Sequence, residues 1–146
     1  MIEAAPELKV IARAGVGVGN IDVEYATERG ILVINTPGKN TNSAAELTMG
    51  LLLSAFRKIV PAHQSMQSLN WDRHRFNGGE LLNKCLGIIG LGNVGHRVAR
   101  YAKAFDMKVQ AFDPYLADEV FERHGVQKVD WITLLNTSDV ITFHVP

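Results

Sequence analysis

Short aliphatic runs alternate along the chain with segments whose apolar residues recur every three or four positions, a pattern that predicts strands and helices in turn. Lys9-Val10-Ile11-Ala12 is the first run, and it enters a glycine cluster at Gly15, Gly17 and Gly19. Asn20 and Asp22 offer N-caps for a short helix over residues 23–29, ended by Gly30. Ile31-Leu32-Val33-Ile34 is a second strand, stopped by Asn35-Thr36-Pro37-Gly38. Two such runs joined by a helix predict a βαβ unit with parallel strands.

Ser43 with Glu46 three residues on predicts a capping box opening a helix over residues 44–57, with Pro61 kinking it or starting another turn. Residues 68–83 read as a connector, anchored by Trp71 and Phe76 and broken at Gly78-Gly79. From Lys84 the alternation is clearer. Cys85-Leu86-Gly87-Ile88-Ile89 has the unbroken apolar character of a buried parallel strand. Val94, Val98, Ala99, Ala102 and Phe105 then share one helical face, with Arg97, Arg100 and Lys103 off it. Further strands are expected at 107–112, 126–129 and 140–145, with helices at 116–124 and 131–135. The order βαβαβαβ predicts an α/β fold, part of a doubly wound parallel sheet of the Rossmann type.

Composition narrows the function classes. The chain has 146 residues, 47% hydrophobic and 21% charged, enough apolar area for a real core. Fifteen basic residues balance fifteen acidic ones and no basic block occurs, which argues against nucleic-acid or membrane-surface binding. The longest apolar stretch, residues 47–56, is far shorter than the roughly 20 residues of a membrane span. A lone cysteine, Cys85, and the absence of a secretory leader pattern predict a soluble, cytoplasmic protein.

One motif carries chemistry. Gly90-Leu91-Gly92-Asn93-Val94-Gly95 follows a predicted strand, opens an amphipathic helix, and is followed by an acid, Asp113, 18 residues after Gly95 at the end of the next strand. In that context Gly90 permits the tight turn, Gly92 lets the backbone approach a pyrophosphate, and Gly95 lets helix and strand pack closely. The helix starting near Asn93 favours the phosphate charge through its free N–H groups and dipole. Asp113 can accept hydrogen bonds from the adenosine ribose and repels a 2′-phosphate, so the expected cofactor is NAD rather than NADP. In the first segment, the strand-to-turn loop at Gly15, Val16 and Gly17 is a nest able to bind an anion.

These motifs resemble the D-isomer-specific 2-hydroxyacid dehydrogenases, and within them the phosphoglycerate dehydrogenase branch. The matching residues are those from Arg13 to Asp22, Asn35-Thr36-Pro37, Ser43 to Thr48, Leu86 to Gly95, and Phe112-Asp113-Pro114, in the expected order across the chain. The resemblance implies that residues 1–42 are the tail of a flavodoxin-like substrate domain, 43–83 an interdomain helix and connector, and 84–146 the first half of an NAD-binding domain. It implies a substrate-carboxylate grip by the backbone of Gly15, Val16 and Gly17, with Arg13 helping to hold the substrate and Val16 also near the nicotinamide. Asn93, Val94 and the Val145 backbone are implied as cofactor contacts, and Thr48 as a residue facing the cleft. Gly19 departs from the aspartate common in this loop.

The family's reaction moves a hydride between the cofactor and the substrate C2, using an arginine, a glutamate and a histidine that the resemblance places beyond Pro146. No residue of this chain is therefore expected to belong to that triad, and a fragment of a longer, homo-oligomeric enzyme is expected, inactive by itself. Among His63, His74, His96, His124 and His144 no metal spacing occurs, and Cys85 reads as buried filler. His144 and Val145 are neighbours on a strand, so they are not both expected to face the dinucleotide. The fourth strand is expected to form an unblunted sheet edge. A different class of function, a non-catalytic NAD-sensing protein of the corepressor type, is the alternative reading.

Overall fold

The computed structural model describes residues 2–145, and the chain divides between Thr41 and Asn42 into two compact units. In the first, β1 (Val10–Ala12) pairs in parallel with β2 (Leu32–Ile34), in the register Val10 to Leu32, and α1 (Val23–Glu28) connects them. Asp22 caps α1 by accepting from the Tyr25 N–H, 3.0 Å away. Gly30, at φ +69°, turns the chain back toward β2.

The second unit contains a four-stranded, wholly parallel sheet in the order β5–β4–β3–β6. Its strands are β3 (Cys85–Ile89), β4 (Lys108–Phe112), β5 (Gln127–Lys128) and β6 (Val140–Phe143). The helices α4 (Gly95–Ala104), α5 (Asp118–His124) and α6 (Trp131–Thr137) make the crossovers. Neighbouring β3 residues show that they lie on both faces. A Cβ on Gly87 would strike Leu134 of α6, whereas the next residue, Ile88, reaches to within 3.3 Å of a Cβ built on Gly95 of α4. Successive strand residues face opposite ways, so α4 and α6 cover opposite sides of a doubly wound sheet.

Hydrophobic burial holds this unit together. Leu86 and Ile88 of β3, Ala111 of β4, Val98, Ala99 and Ala102 of α4 and Phe121 of α5 are fully or nearly fully buried. Each large side chain here contributes about 1.5–3 kcal/mol of transfer free energy. From α2 (Thr41–Phe56), Ala45, Met49 and Leu52 join the same core, one helical face at spacings of four and three. Leu47 and Leu51, one turn apart, are each 63% exposed. Lys58, in the left-handed region at φ 52°, separates α2 from α3 (Ile59–Gln67), and Pro61 sits in the first turn of α3, where its missing N–H costs nothing.

Three local expectations need correction. The capping box at Ser43 and Glu46 does not form, because α2 begins at Thr41 and Ser43 lies inside its first turn. Trp71 is no anchor: it is 75% exposed, and Phe76 alone of the pair is half-buried. Phe105 follows α4 as its C-cap and is exposed, so the buried stripe ends at Ala102.

Candidate functional site

The glycine motif bridges β3 and α4 at the point where the strand order reverses, with β4 on one side of β3 and β6 on the other. Gly90 has φ +89°, and its N–H donates to the Phe112 carbonyl at 3.0 Å. A Cβ at Gly90 would lie 2.7 Å from Val145 Cγ1 and 2.8 Å from the His144 oxygen, which shows how closely the segment after β6 approaches. At Gly95 a Cβ would lie 2.1 Å from the Gly90 carbonyl oxygen, so only glycine lets α4 start against the strand it follows. Gly92 differs from both. It is exposed, and a Cβ there would meet nothing within 4 Å, leaving open space over the loop.

The helix opens at Gly95, two residues later than expected, with Val94 at the N-cap and no side chain capping it. Among the described residues the N–H groups of Gly92, Asn93, Val94 and Gly95 have no acceptor. Four unpaired donors at the positive end of a helix dipole form an anion site.

Asp113 follows β4 directly. Its Oδ2 accepts from the Leu91 N–H and its Oδ1 from the Tyr115 N–H, each at 3.0 Å. An ionised carboxylate has about four acceptor positions, so two remain after these bonds. Val145 turns toward Gly90, while His144 turns elsewhere: its ring lies 3.0 Å from the Thr142 hydroxyl and borders a cavity of about 380 Å³ with Thr48, Leu52 and Val98. Burial holds the His144 imidazole below the ordinary histidine value. The Thr48 hydroxyl is committed to the Ala44 carbonyl at 2.8 Å.

In the first unit the loop after β1 is braced by hydrogen bonds that the sequence did not reveal. Asn35 Nδ2 donates to the Val16 carbonyl at 2.7 Å, and the Thr36 N–H to the Gly15 carbonyl at 3.0 Å. Arg13 is not left in solvent: its Nη1 donates to the Gly17 carbonyl and to Asn20 Oδ1. With these three carbonyls tied back, the planar trans peptides turn the N–H groups of Val16, Gly17 and Val18 the other way. The Gly15 N–H is spent on the Arg13 carbonyl at 2.9 Å, so the nest rests on the residues after it.

Gly90, Gly92, Asn93, Val94, Gly95, Asp113 and Val145 thus meet at one end of the second unit's sheet, and Arg13, Gly15, Val16 and Gly17 form a loop of the first unit. No cluster of three metal-ligating side chains occurs among the described residues. Burial, and then Asp139, pushes the Cys85 thiol up, away from nucleophilic use.

This arrangement has known counterparts. The family model described as "D-isomer specific 2-hydroxyacid dehydrogenase, NAD binding domain" matches residues 49–146. The chain belongs to the D-isomer specific 2-hydroxyacid dehydrogenase family. Relatives in that family include D-3-phosphoglycerate dehydrogenase of Methanocaldococcus jannaschii, 54% identical over the whole chain, and hydroxypyruvate reductase of Thermotoga maritima, 48% identical. The chain spans 28% of the first relative's length and 47% of the second's. Among solved structures, D-lactate dehydrogenase of Aquifex aeolicus complexed with NAD and lactic acid matches 99% of this chain and 44% of its own, at 34% identity and a TM-score of 0.87.

Proposed function

We propose that this chain binds NAD at the β3–α4 turn and is part of an oxidoreductase that transfers a hydride between NAD and a D-2-hydroxyacid, with 3-phosphoglycerate the substrate. The reading rests above all on the four unpaired N–H groups of Gly92, Asn93, Val94 and Gly95 beneath the open space at Gly92. They fit a pyrophosphate. The two free acceptor positions of Asp113 fit the 2′- and 3′-hydroxyls of the adenosine ribose, and its charge disfavours a 2′-phosphate. Val145, beside Gly90, contacts the dinucleotide across the switch point, where ligands of open α/β sheets bind. Bound there, NAD would supply the hydride donor or acceptor.

In the first unit the outward N–H groups of Val16 and Gly17 hold the substrate carboxylate, and Arg13 keeps that loop in shape. We assign residues 1–42 to a substrate domain, 43–83 to an interdomain helix and connector, and 84–146 to the cofactor domain. We assign no histidine of this chain to proton transfer. The D-3-phosphoglycerate dehydrogenases at 53–54% identity support the substrate, and with it a place in serine biosynthesis. The exposed Leu47 and Leu51 stripe supports a homo-oligomer, and the balanced charge and single cysteine a cytoplasmic enzyme that binds no nucleic acid. No helix among the described residues is long and apolar enough to cross a membrane.

Calorimetric titration with NAD and NADP tests the cofactor reading. NAD binding at one site and markedly weaker NADP binding are expected; equal affinity for the two removes the role of Asp113.

A further inference from the structure

His96, in the first turn of α4, takes no part in the site just described, yet it touches it from behind. Its Nδ1 lies 2.8 Å from the Gly92 carbonyl, which also accepts from the His96 backbone N–H at 3.1 Å. A carbonyl only accepts, so Nδ1 carries a proton and donates it. The other face of the ring is stacked on His124, at the end of α5, with centroids 4.7 Å apart and planes 16° from parallel. That shelf is itself fastened to α4, because Lys103 Nζ donates to the His124 carbonyl. Burial first, and then its neighbours His96, Arg123 and Lys103, lowers the His124 pKa from the ordinary histidine value.

The consequence runs through covalent geometry. In a planar trans peptide the C=O and the following N–H point in opposite directions. Two donors pull the Gly92 carbonyl toward α4, so the Asn93 N–H is held outward, beneath the open space above Gly92. We propose that His96, seated against His124, is a positioning residue that locks the Gly92–Asn93 peptide with its N–H aimed at the pyrophosphate of the dinucleotide. This rests on the NAD reading above and adds to it a residue outside the glycine motif's own requirements. Losing the side-chain bond frees the peptide to rotate, and the pre-set donor must then be ordered at the moment of binding.

Nitrogen-detected NMR of the His96 ring and calorimetry with NAD test this together on the full chain. The ring is expected as the Nδ1–H tautomer before any ligand is added. His96→Ala is expected to weaken NAD binding roughly three- to tenfold, the worth of one hydrogen bond. His96→Asn, whose amide nitrogen can reach the same carbonyl, is expected to recover most of that affinity, and His124→Ala to lose less than His96→Ala. An Nε2–H tautomer in the wild type, an Ala variant that binds as well as wild type, or an Asn variant no better than Ala overturns the proposal while leaving the NAD site standing. A folded wild type that binds no NAD removes both.

Discussion

The Asp113 carboxylate accepts a hydrogen bond from the Leu91 backbone N–H at 3.0 Å, tying the end of β4 to the glycine turn that follows β3. The residue expected to read the ribose therefore also shapes the loop expected to hold the pyrophosphate. Its substitution acts on both at once.

Asp113→Ala is expected to weaken NAD binding and to lower stability by about 1–2 kcal/mol, since Leu91 and Tyr115 both lose their acceptor. Asp113→Asn keeps one acceptor oxygen and removes the charge. It is expected to narrow the gap between NAD and NADP more than it lowers the melting temperature. Parallel titrations and thermal melts separate the two effects; an Asn variant with undiminished preference for NAD contradicts the charge argument.

The three motif glycines divide into different kinds. Gly92→Val places its side chain in open space, so the melt should stay near wild type while NAD binding disappears. Gly95→Ala forces a methyl to 2.1 Å from the Gly90 carbonyl, which must shift, and a loss of about 1–3 kcal/mol is expected. Urea unfolding of both variants checks this, and a Gly92 variant that unfolds as early as the Gly95 variant shows that the open space is not there.

Asp139 links the start of β3 to the turn before β6. Its carboxylate accepts from the Cys85 N–H at 2.8 Å and from Lys84 at 3.1 Å, and these bonds, that of Cys85 foremost, hold its pKa below the usual value. A depressed folded value stabilises above the unfolded pKa of about 3.9 and is lost as pH falls through the folded one. Asp139→Asn should therefore melt earlier than wild type at neutral pH, and the difference should vanish in strong acid. The depressed imidazoles of His124 and His144 act on another window. The unfolded chain binds their protons first, so stability falls once pH drops below about 6.5 and levels off beneath the folded values. Melting temperature against pH, for wild type and Asp139→Asn, reads both windows; a difference that persists undiminished in strong acid contradicts the Asp139 assignment.

Among the described residues β6 pairs only with β3, and Phe143 at its end is 63% exposed. An unpaired edge without lysine or a bulge favours pairing with another chain. The 146-residue chain is expected to self-associate, and Phe143→Lys to reduce this. Size-exclusion chromatography with light scattering decides it, a monodisperse wild-type monomer being the contrary result.

Much of this was legible in the residues. An unbroken apolar run located β3, and the spacing from Gly95 to Asp113 located the two ends of the candidate cofactor site. What the sequence hid were bonds between residues distant along the chain. Asn35 bracing Val16, Leu91 bonded to Asp113, and the His96–His124 stack depend on which elements become neighbours. The capping box failed for a local reason: Ser43 and Glu46 have the right spacing, but the Gly38 turn ends early enough for the helix to begin at Thr41. Trp71 lies exposed although apolar, because hydrophobicity alone does not say whether a connector lies on anything.

The central claim is that the N–H groups at the start of α4 bind the dinucleotide. Glycine-selective nitrogen labelling reduces the amide spectrum to the 13 glycines, and titration with NAD then reads the site even if affinity is low. The Gly92 and Gly95 signals should move together as NAD is added, with smaller movements for NADP, while Gly30 and Gly50 stay in place. A folded chain whose Gly92 and Gly95 signals ignore NAD contradicts the account.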